Sequence, residues 1–286
     1  MTESPADSID KLPPLREVIA EYGLDARRAL GQHFLLDLNL TRRIASSASN
    51  LSQGTTIEVG PGPGGLTRSL LASGASKVVA IERDERCVKA LATLAEAAGS
   101  RFELLYADAL EVDVAALGPP PLRIVANLPY NIATPLLVRW LKAGPEITEM
   151  ILMFQLEVAE RVTASVGAKP YGRLAVLSNW CAETRFLFRI PARAFTPSPR
   201  VDSAVVRLNP FNQPRFDGDA CDIESVTAAA FGQRRKTLKR SLVSLGVPVE
   251  ALLKRAGIDG RKRAEELDIA AFSSLAVAFS DLREGL

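Results

Sequence analysis

The sequence contains few residues of the types that build metal centres or disulfide frameworks. It has three cysteines, Cys87, Cys181 and Cys221, and their spacing matches neither a metal site nor a set of disulfides. Scattered cysteines of this kind are typical of a reducing compartment, so no metal is expected and a cytoplasmic location is predicted. His33 is the only histidine, so it is the one side chain of its type to consider as a general base.

Long apolar runs are also missing from the sequence. No stretch approaches the roughly 18 apolar residues of a membrane span, and Met1 to Asp7 lack the basic start and apolar core of a signal peptide. With 47% hydrophobic residues over 286 positions, the chain can bury a full core and form two domains. No membrane association is expected, and a monomer is predicted because no self-complementary apolar patch stands out.

A glycine-rich loop follows an apolar strand in the first quarter of the chain. The predicted strand Thr55–Val59 runs into the loop Gly60 to Gly65, and the residues that follow have helical apolar spacing. Strand, glycine turn and helix together are typical of the nucleotide-binding start of a doubly wound α/β domain. A side chain in such a loop would hold a ligand away from the backbone. Taken alone, the spacing of Gly60, Gly62 and Gly65 fits both NAD and S-adenosylmethionine.

Acidic residues follow the next two predicted strands. Lys77–Ile81 is followed by Glu82, which is placed to accept both ribose hydroxyls of a cofactor. Phe102–Tyr106 is followed by Asp108, which can accept from a cofactor adenine amine, although a surface acid is an equal alternative there. Glu82 fits both cofactor classes. The two prolines of the glycine loop favour S-adenosylmethionine, because they stiffen the loop and remove N–H donors that a pyrophosphate would use.

A fourth apolar run, Leu122–Ala126, ends in Asn127-Leu128-Pro129-Tyr130. The amide oxygen of the asparagine and the carbonyl of the leucine can each accept one hydrogen from a planar exocyclic amine. These two acceptors would draw the hydrogens out of the ring plane and relocalise the nitrogen lone pair toward a methyl donor. The proline fixes the turn, and the tyrosine offers a flat face for stacking a base. Since all four strand ends would meet at one edge of a parallel sheet, cofactor and amine are predicted to share a crevice.

Six motifs in order along the chain make it resemble the KsgA/RsmA family of ribosomal RNA adenine dimethyltransferases. The matching stretches are residues 30–35, 58–67, 127–132, 171–174, 195–208 and 231–238. The resemblance implies a Rossmann-like class I S-adenosylmethionine-dependent methyltransferase domain with a seven-stranded sheet. It also implies transfer of methyl groups to N6 of two adjacent adenosines near the 3′ end of small-subunit rRNA. The implied partner is the small ribosomal subunit or its precursor.

The same resemblance assigns roles to individual residues. The expected cofactor contacts are His33, Leu35, Gly60, Gly62, Glu82, Asp108 and Asn127. The expected catalytic residues are Asn127, Leu128, Pro129, Tyr130 and Phe195, with the target adenine between the last two. Many family members have Asn in place of His33, so a backbone contact is the more robust expectation there. A general-base role for His33 is not expected, because amine methylation needs no strong base beforehand. His33 is expected instead to shape the cofactor lid, the segment Leu30–Arg43, which would cover the site.

The predicted domains divide the chain at a turn-rich stretch, residues 209–219. Residues 1–210 are predicted to form the S-adenosylmethionine-binding methyltransferase domain, with residues 1–45 as its N-terminal lid segment. Residues 211–286 are predicted to form a small helical RNA-binding domain. The later strands of the first domain are predicted at Met150–Phe154, Leu174–Cys181, Arg185–Ile190 and Ser203–Leu208.

Positive charge is concentrated between residues 231 and 263, which hold ten basic and two acidic side chains. A helix over residues 228–245 would place Phe231, Leu238, Leu242 and Leu245 on one face. A solvated helix face is the alternative to RNA binding, and the charge imbalance favours binding to RNA phosphates. The predicted RNA contacts are Arg234, Arg235, Lys236, Lys239 and Arg240.

Two rival functions stay open at this point. A large-subunit rRNA adenine methyltransferase of the antibiotic-resistance type would share fold and chemistry, and residues 233–238 argue for the small-subunit enzyme instead. A ribosome-assembly or transcription-associated RNA-binding factor would keep the fold without catalysis. The sequence retains Glu82, Asp108 and Asn127, which argues against a protein that has lost its catalytic activity.

Overall fold

The computed structural model of the chain describes Ile9 and residues 11–25, 32–144 and 146–284. The chain divides into two compact units. The first comprises Met1–Ala159 and Arg185–Pro210, and the second comprises Glu160–Thr184 and Phe211–Leu286. The sequence prediction divided the chain only near residue 210, whereas Glu160–Thr184 join the second unit.

A seven-stranded sheet lies at the centre of the first unit. The strands of the chain are β1 Phe34–Leu35, β2 Thr55–Val59, β3 Val78–Glu82, β4 Phe102–Tyr106, β5 Leu122–Asn127, β6 Ile147–Gln155, β7 Ala182–Ile190, β8 Phe195–Thr196 and β9 Ser203–Pro210. The order across the large sheet is β4-β3-β2-β5-β6-β9-β7. Strands β2 to β6 pair in parallel and β9 pairs antiparallel with β6. The predicted fold class is confirmed.

The central strands read as apolar runs because they are buried. Every residue of β2 and β3 is buried, whereas the edge strand β4 mixes buried and exposed positions. Glu58 and Glu82 are therefore carboxyl groups inside fully buried strands. In the parallel register, Val59 lies beside Ile81 and Ile57 beside Ile124, so β2, β3 and β5 end at one edge of the sheet. That edge carries the residues predicted to bind the cofactor and the amine.

Helices connect the strands of the first unit, and the last of them runs three residues into the second. Their bounds are α1 Leu15–Glu21, α2 Leu38–Ala45, α3 Gly65–Ala72, α4 Glu85–Ala90, α5 Ala92–Ala98, α6 Ala133–Lys142 and α7 Leu156–Val162. Short 3₁₀ turns occur at Gly99–Arg101, Val114–Ala116 and Ala192–Ala194. Aspartate side chains cap α2 and α4: Asp37 accepts from the Asn39 amide at 2.8 Å and Asp84 from the Arg86 amide at 3.1 Å.

The second unit is helical. It contains α8 Arg173–Cys181, α9 Ala220–Gly232, α10 Leu238–Ser241, α11 Val249–Ala256 and α12 Ile269–Glu284, with 3₁₀ turns at Leu242–Leu245 and Ala264–Glu266. Phe231 packs against Phe272 with ring centroids 5.5 Å apart and meets Tyr171 edge-on at 5.9 Å. In the described part of the chain, no helix is long and apolar enough to span a membrane.

The strand predicted at Leu174–Cys181 is wrong, because this stretch forms helix α8. A short apolar run has no periodicity that separates a buried strand from a buried helix. Ala175, Val176 and Leu177 are buried, so the run is apolar for packing reasons in either conformation. The seventh strand is β7, which includes the predicted Arg185–Ile190.

The continuous helix predicted over residues 228–245 is also wrong. Helix α9 ends at Gly232, and α10 begins only at Leu238. The amides of Leu238 and Lys239 donate to the carbonyls of Lys262 (2.8 Å) and Gly260 (3.0 Å) instead of to a preceding helical turn. Tertiary pairing with residues 260–262 therefore interrupts the helix. Leu238 and Leu242 are still fully buried, as the apolar spacing predicted.

Candidate active site

The glycine loop after β2 lies between two other segments of the first unit. Gly60, Gly62 and Gly64 have φ angles of +70°, +55° and +88°, which only glycine adopts without strain. A Cβ atom at Gly62 would meet the Phe34 ring at 3.0 Å, and one at Gly60 would meet the Pro129 ring at 3.3 Å. The glycines are thus required both by the turn and by close neighbours on either side.

A cavity opens where these segments meet at the carboxyl edge of the sheet. The segments that line it include the stretch that contains β1, helix α2, the end of β2 with the glycine loop, the end of β3 and the Asn-Leu-Pro-Tyr turn after β5. The predicted site residues in its wall are His33, Leu35, Gly60, Gly62, Glu82, Asn127, Leu128, Pro129 and Tyr130. Nine of the predicted residues therefore come together, whereas Asp108 and Phe195 are not part of the wall. Of the predicted lid segment, residues 1–8, 10 and 26–31 lie outside the described residues.

Glu82 is held by backbone amides at the end of β3. One carboxylate oxygen accepts from the amides of Arg83 (2.8 Å) and Asp84 (2.9 Å), and the other accepts from Gly62 (3.2 Å). Burial raises the pKa of Glu82, and these hydrogen bonds oppose the rise. The bond to Gly62 ties the carboxylate directly to the glycine loop.

Asp108 lies beyond the cavity wall on the loop that follows β4. Its carboxylate pairs with the guanidinium of Arg83 at 2.8 Å and accepts from the amide of Leu110 at 3.0 Å. Arg83 itself lines the cavity. The contact predicted between Asp108 and a cofactor adenine stays a prediction.

The Asn-Leu-Pro-Tyr turn is fixed by contacts to two other segments. The side-chain nitrogen of Asn127 donates to the carbonyl of His33 at 3.2 Å, so its amide oxygen remains as the acceptor. The hydroxyl of Tyr130 is 2.6 Å from the hydroxyl of Ser203, and burial raises the pKa of Tyr130. Leu128 is buried. The turn therefore presents an oxygen acceptor beside an anchored aromatic ring.

His33 is the aromatic side chain that faces Tyr130. The two rings are 5.4 Å apart and tilted by 31°. Nδ1 of His33 lies 2.8 Å from the carbonyl oxygen of Pro197, which only accepts, so Nδ1 carries the hydrogen. This bond fixes the ring in the cavity wall. The arrangement agrees with a positioning role for His33.

Phe195 lies outside the cavity wall, and its predicted role as a stacking partner of Tyr130 stays a prediction. It is 3% exposed, belongs to the hydrophobic core of the first unit and lies opposite Leu35 in the short β1–β8 sheet. Phe195 therefore packs as a core residue, as most phenylalanines do.

Glu58 is a cavity residue that the sequence analysis did not select. It is 1% exposed and lines the cavity, and its Oε2 atom has no hydrogen-bond partner among the described residues. Burial raises the pKa of Glu58 to about 8, and the negative charge of nearby Glu82 adds to the rise. The sequence does contain a signal for this residue, because Glu58 is a carboxylic acid in a predicted buried strand that leads into the glycine loop.

The cavity wall suits a nucleoside cofactor that carries both hydroxyl and ammonium groups. Glu82 offers a fixed carboxylate for hydroxyls, and the glycine loop lies beside it in the cavity wall. Glu58 adds a buried carboxyl group to the same wall. In the described residues, no cluster of three or more His, Cys, Asp or Glu side chains could hold a metal ion.

The five predicted RNA contacts fall into two groups. Arg234 donates to the carbonyls of Lys169 (3.3 Å) and Tyr171 (3.0 Å), and Lys239 pairs with Glu250 at 2.6 Å. The others among the predicted RNA contacts are exposed and form no ion pair within the described residues: Arg235, Lys236 and Arg240. Two of the five predicted cations are therefore partly engaged in internal contacts.

The seven-stranded sheet, the glycine loop and the acidic strand end define the class I methyltransferase fold. The structure is similar to a dimethyladenosine transferase from Plasmodium falciparum, with a TM-score of 0.75, 25% identity and coverage of 88% of this chain and 98% of that one. It is also similar to the 23S rRNA methyltransferase ErmE, with a TM-score of 0.65, 31% identity and coverage of 86% and 99%.

Sequence comparison narrows this class to one family. The family model for ribosomal RNA adenine dimethylase matches residues 23–281, and the chain belongs to that family. A relative from Rhodospirillum rubrum is 54% identical over 96% of this chain and 94% of its own length. One from Cereibacter sphaeroides is 55% identical over 94% and 98%. Both are named ribosomal RNA small subunit methyltransferase A.

Proposed function

We propose that the protein transfers methyl groups from S-adenosylmethionine to N6 of two adjacent adenosines in small-subunit rRNA, giving N6,N6-dimethyladenosine. The observation that carries the proposal is the shared cavity: the Asn-Leu-Pro-Tyr turn, the glycine loop and Glu82 line one space. The relatives that share more than half of their residues with this chain are named for the small subunit, which supports the choice of substrate.

The first unit would hold the cofactor through contacts already present in its wall. Glu82 would accept the ribose hydroxyls, the backbone of Gly60 and Gly62 would line the ligand, and His33 and Leu35 would cover it. Bound S-adenosylmethionine supplies a methyl group on a positively charged sulfur. Asp108 would contact the cofactor adenine if its pairing with Arg83 rearranges.

The amine of the target adenine would be held by Asn127 and Leu128. Because the Asn127 nitrogen is bonded to His33, its oxygen is oriented to accept one hydrogen, and the Leu128 carbonyl accepts the other. Both bonds strengthen as positive charge develops on the nitrogen during transfer. The proton then leaves to water, because the methylated nitrogen is acidic. No side-chain base is required, and the fixed ring of His33 has a positioning role.

The target base would stack on Tyr130 after leaving its own stack. Unstacking a base costs a few kcal/mol, and stacking on an aromatic side chain returns roughly 1–3 kcal/mol. The two contributions nearly balance, so an unpaired loop is the favoured substrate. Phe195 would serve as a second stacking face only if its ring leaves the core.

The second unit would bind RNA phosphates through its exposed cations. Arg235, Lys236 and Arg240 are the main contacts in this proposal, and Arg234 and Lys239 contribute after their internal partners are displaced. Such contacts position the RNA and carry little sequence information. The small subunit or its precursor is the proposed partner, the protein acts as a monomer, and the cytoplasm is its proposed location.

Methyl transfer to isolated ribosomal subunits tests the proposal. Labelled S-adenosylmethionine is incubated with the protein and unmethylated small or large subunits, and the RNA is then digested to nucleosides. The proposal predicts label in N6,N6-dimethyladenosine from the small subunit alone. Label in the large subunit would instead indicate a resistance-type enzyme. Cofactor binding without transfer to either subunit would indicate a binding factor.

A further inference from the structure

An ion pair at the start of helix α4 contacts the N-terminal segment at two places. Arg86 binds the carboxylate of Asp84 in a bidentate manner, with Nη2 2.7 Å from Oδ2 and Nε 3.1 Å from Oδ1. Its remaining nitrogen, Nη1, donates to the carbonyls of Gly23 (3.0 Å) and Asp25 (3.2 Å). The side chain of Gln32 donates to Asp84 Oδ2 at 3.0 Å. One ion pair thus holds residues 23–25 and residue 32 together.

The ion pair is also joined to the proposed ribose-binding carboxylate. The amide of Asp84 donates to Glu82 at 2.9 Å, and Glu82 accepts from Gly62 of the glycine loop. The Asp84 side chain is almost completely buried, and hydrogen bonding from the Arg86 guanidinium lowers the pKa of Asp84 to about 2. The pair therefore stays charged at neutral pH.

The segment held by this pair forms one wall of the cavity. Gln32, His33, Phe34 and Leu35 all line it, and the Phe34 ring packs against Gly62. Phe34 also belongs to a small apolar cluster with Val18, Leu24, Cys87 and Ala90. Two of these residues lie on the same helix as Arg86, so polar and apolar contacts both hold the N-terminal segment against α4.

We propose that Asp84 and Arg86 are positioning residues that hold the N-terminal segment over the cofactor cavity, so that cofactor affinity depends on them. The inference rests on the proposed use of S-adenosylmethionine. Neither residue touches the reacting atoms. Loosening the wall would weaken cofactor binding and would leave the transfer step almost unchanged once the site is filled, because Asn127 and Leu128 belong to a separate turn.

The test compares Arg86→Ala and Gln32→Ala with wild type. Binding of S-adenosylhomocysteine is measured by calorimetry, and kcat and KM for S-adenosylmethionine are measured on small subunits. For Arg86→Ala we expect Kd and KM to rise about tenfold, or ~1.4 kcal/mol, with kcat within about twofold of wild type. Gln32→Ala removes the hydrogen bond to Asp84 and leaves the ion pair, so a rise of about threefold is expected. Arg86→Lys should restore part of the affinity, because lysine keeps the charge and loses the bidentate geometry.

Lys89→Ala is the matched control. Lys89 forms an exposed ion pair with Glu85 on the same helix, with 65% of each side chain accessible, and makes no contact with residues 23–35 among the described residues. Its Kd should equal that of wild type. Unchanged affinity in a folded Arg86→Ala protein, or a fall in kcat with constant KM, would overturn the positioning role. Failure of the wild-type protein to bind the cofactor would overturn the proposed function instead.

Discussion

The cavity of the first unit and the cationic segment of the second unit, residues 234–240, differ in how well sequence predicts their function. In the cavity, the predicted motifs depend on backbone geometry. Gly60 and Gly62 have the positive φ angles that a glycine turn needs, and Glu82 accepts a hydrogen bond from Gly62 at the end of its strand. In the cationic segment, the sequence gives only charge. The structure shows that Arg234 and Lys239 have internal partners and that Lys236 does not among the described residues. Motifs predict positions, whereas a charge count does not separate binding residues from structural ones.

The largest effect is expected from Asn127→Ala in the cavity. The substitution removes the oxygen that accepts from the target amine, and loss of one such preorganised contact lowers kcat by about 10²–10³-fold. Single-turnover rates at saturating cofactor and RNA measure this effect. Asn212→Ala, in the turn-rich stretch outside the cavity wall, serves as the control. A rate within threefold of wild type for Asn127→Ala would contradict the role of this turn.

Tyr130 should show an effect that depends on the ring and not on the hydroxyl. Tyr130→Ala removes the stacking face, which is worth roughly 1–3 kcal/mol per base, so kcat/KM for RNA should fall about tenfold to a hundredfold. Tyr130→Phe keeps the face and loses only the bond to Ser203. Its kcat/KM should stay within a few-fold of wild type. Equal losses in the two variants would show that the hydroxyl, and not stacking, matters.

Glu58 predicts a pH dependence of stability for the cofactor-free protein. Its pKa is raised from 4.5 to about 8, so between these values the folded state keeps a proton that the unfolded state has lost. Stability then falls with rising pH, by up to ~1.4 kcal/mol per pH unit, or tenfold in the unfolding equilibrium. The loss is complete above the folded-state pKa. Glu58→Gln should remove this slope in urea unfolding measured from pH 5 to 8.

Glu103→Gln provides the comparison for that measurement, because Glu103 pairs with Lys77 on the surface and its side chain is 49% exposed. Its stability should follow the wild-type pH dependence. A Glu58→Gln protein with the wild-type slope would show that Glu58 is ionised in the folded state at neutral pH.

The smallest effects are expected in the cationic segment. Lys236→Ala should weaken RNA binding a few-fold and lower the slope of log K against log salt by about 0.9, because one phosphate contact is lost. Lys239→Ala should change the slope less, since Lys239 pairs with Glu250 in the free protein. Binding titrations at several salt concentrations make the comparison. Equal salt slopes for Lys236→Ala and Lys239→Ala would show that the ion pair with Glu250 does not reduce the contribution of Lys239 to RNA binding.

Sequence predicted most of the sheet and much of the cavity. Strands such as Thr55–Val59 and Phe102–Tyr106 were predicted with the observed bounds, because buried parallel strands are short apolar runs between turns. The helix at Arg173–Cys181 was missed because a run of that length has no distinguishing period. The break after Gly232 was missed because residues far along the chain, at 260–262, cause it.

The contacts of the aromatic residues near the cavity also depend on positions far apart in the sequence. The stacking role predicted for Phe195 stays a prediction, and the burial of its ring depends on packing that the motif does not encode. The ring that faces Tyr130 belongs to His33, more than ninety residues away in sequence. Long-range contacts of this kind decide which aromatic residue reaches the cavity.

The most direct test of the account is a crystal structure with S-adenosylhomocysteine and a short RNA that contains the target adenosines. The decisive quantities are the distances from N6 of the bound adenine to Oδ1 of Asn127 and to the carbonyl oxygen of Leu128. The account predicts that both lie within about 3.2 Å, the range of an N–H···O hydrogen bond. A base bound in the cavity with N6 turned away from both oxygens would contradict it.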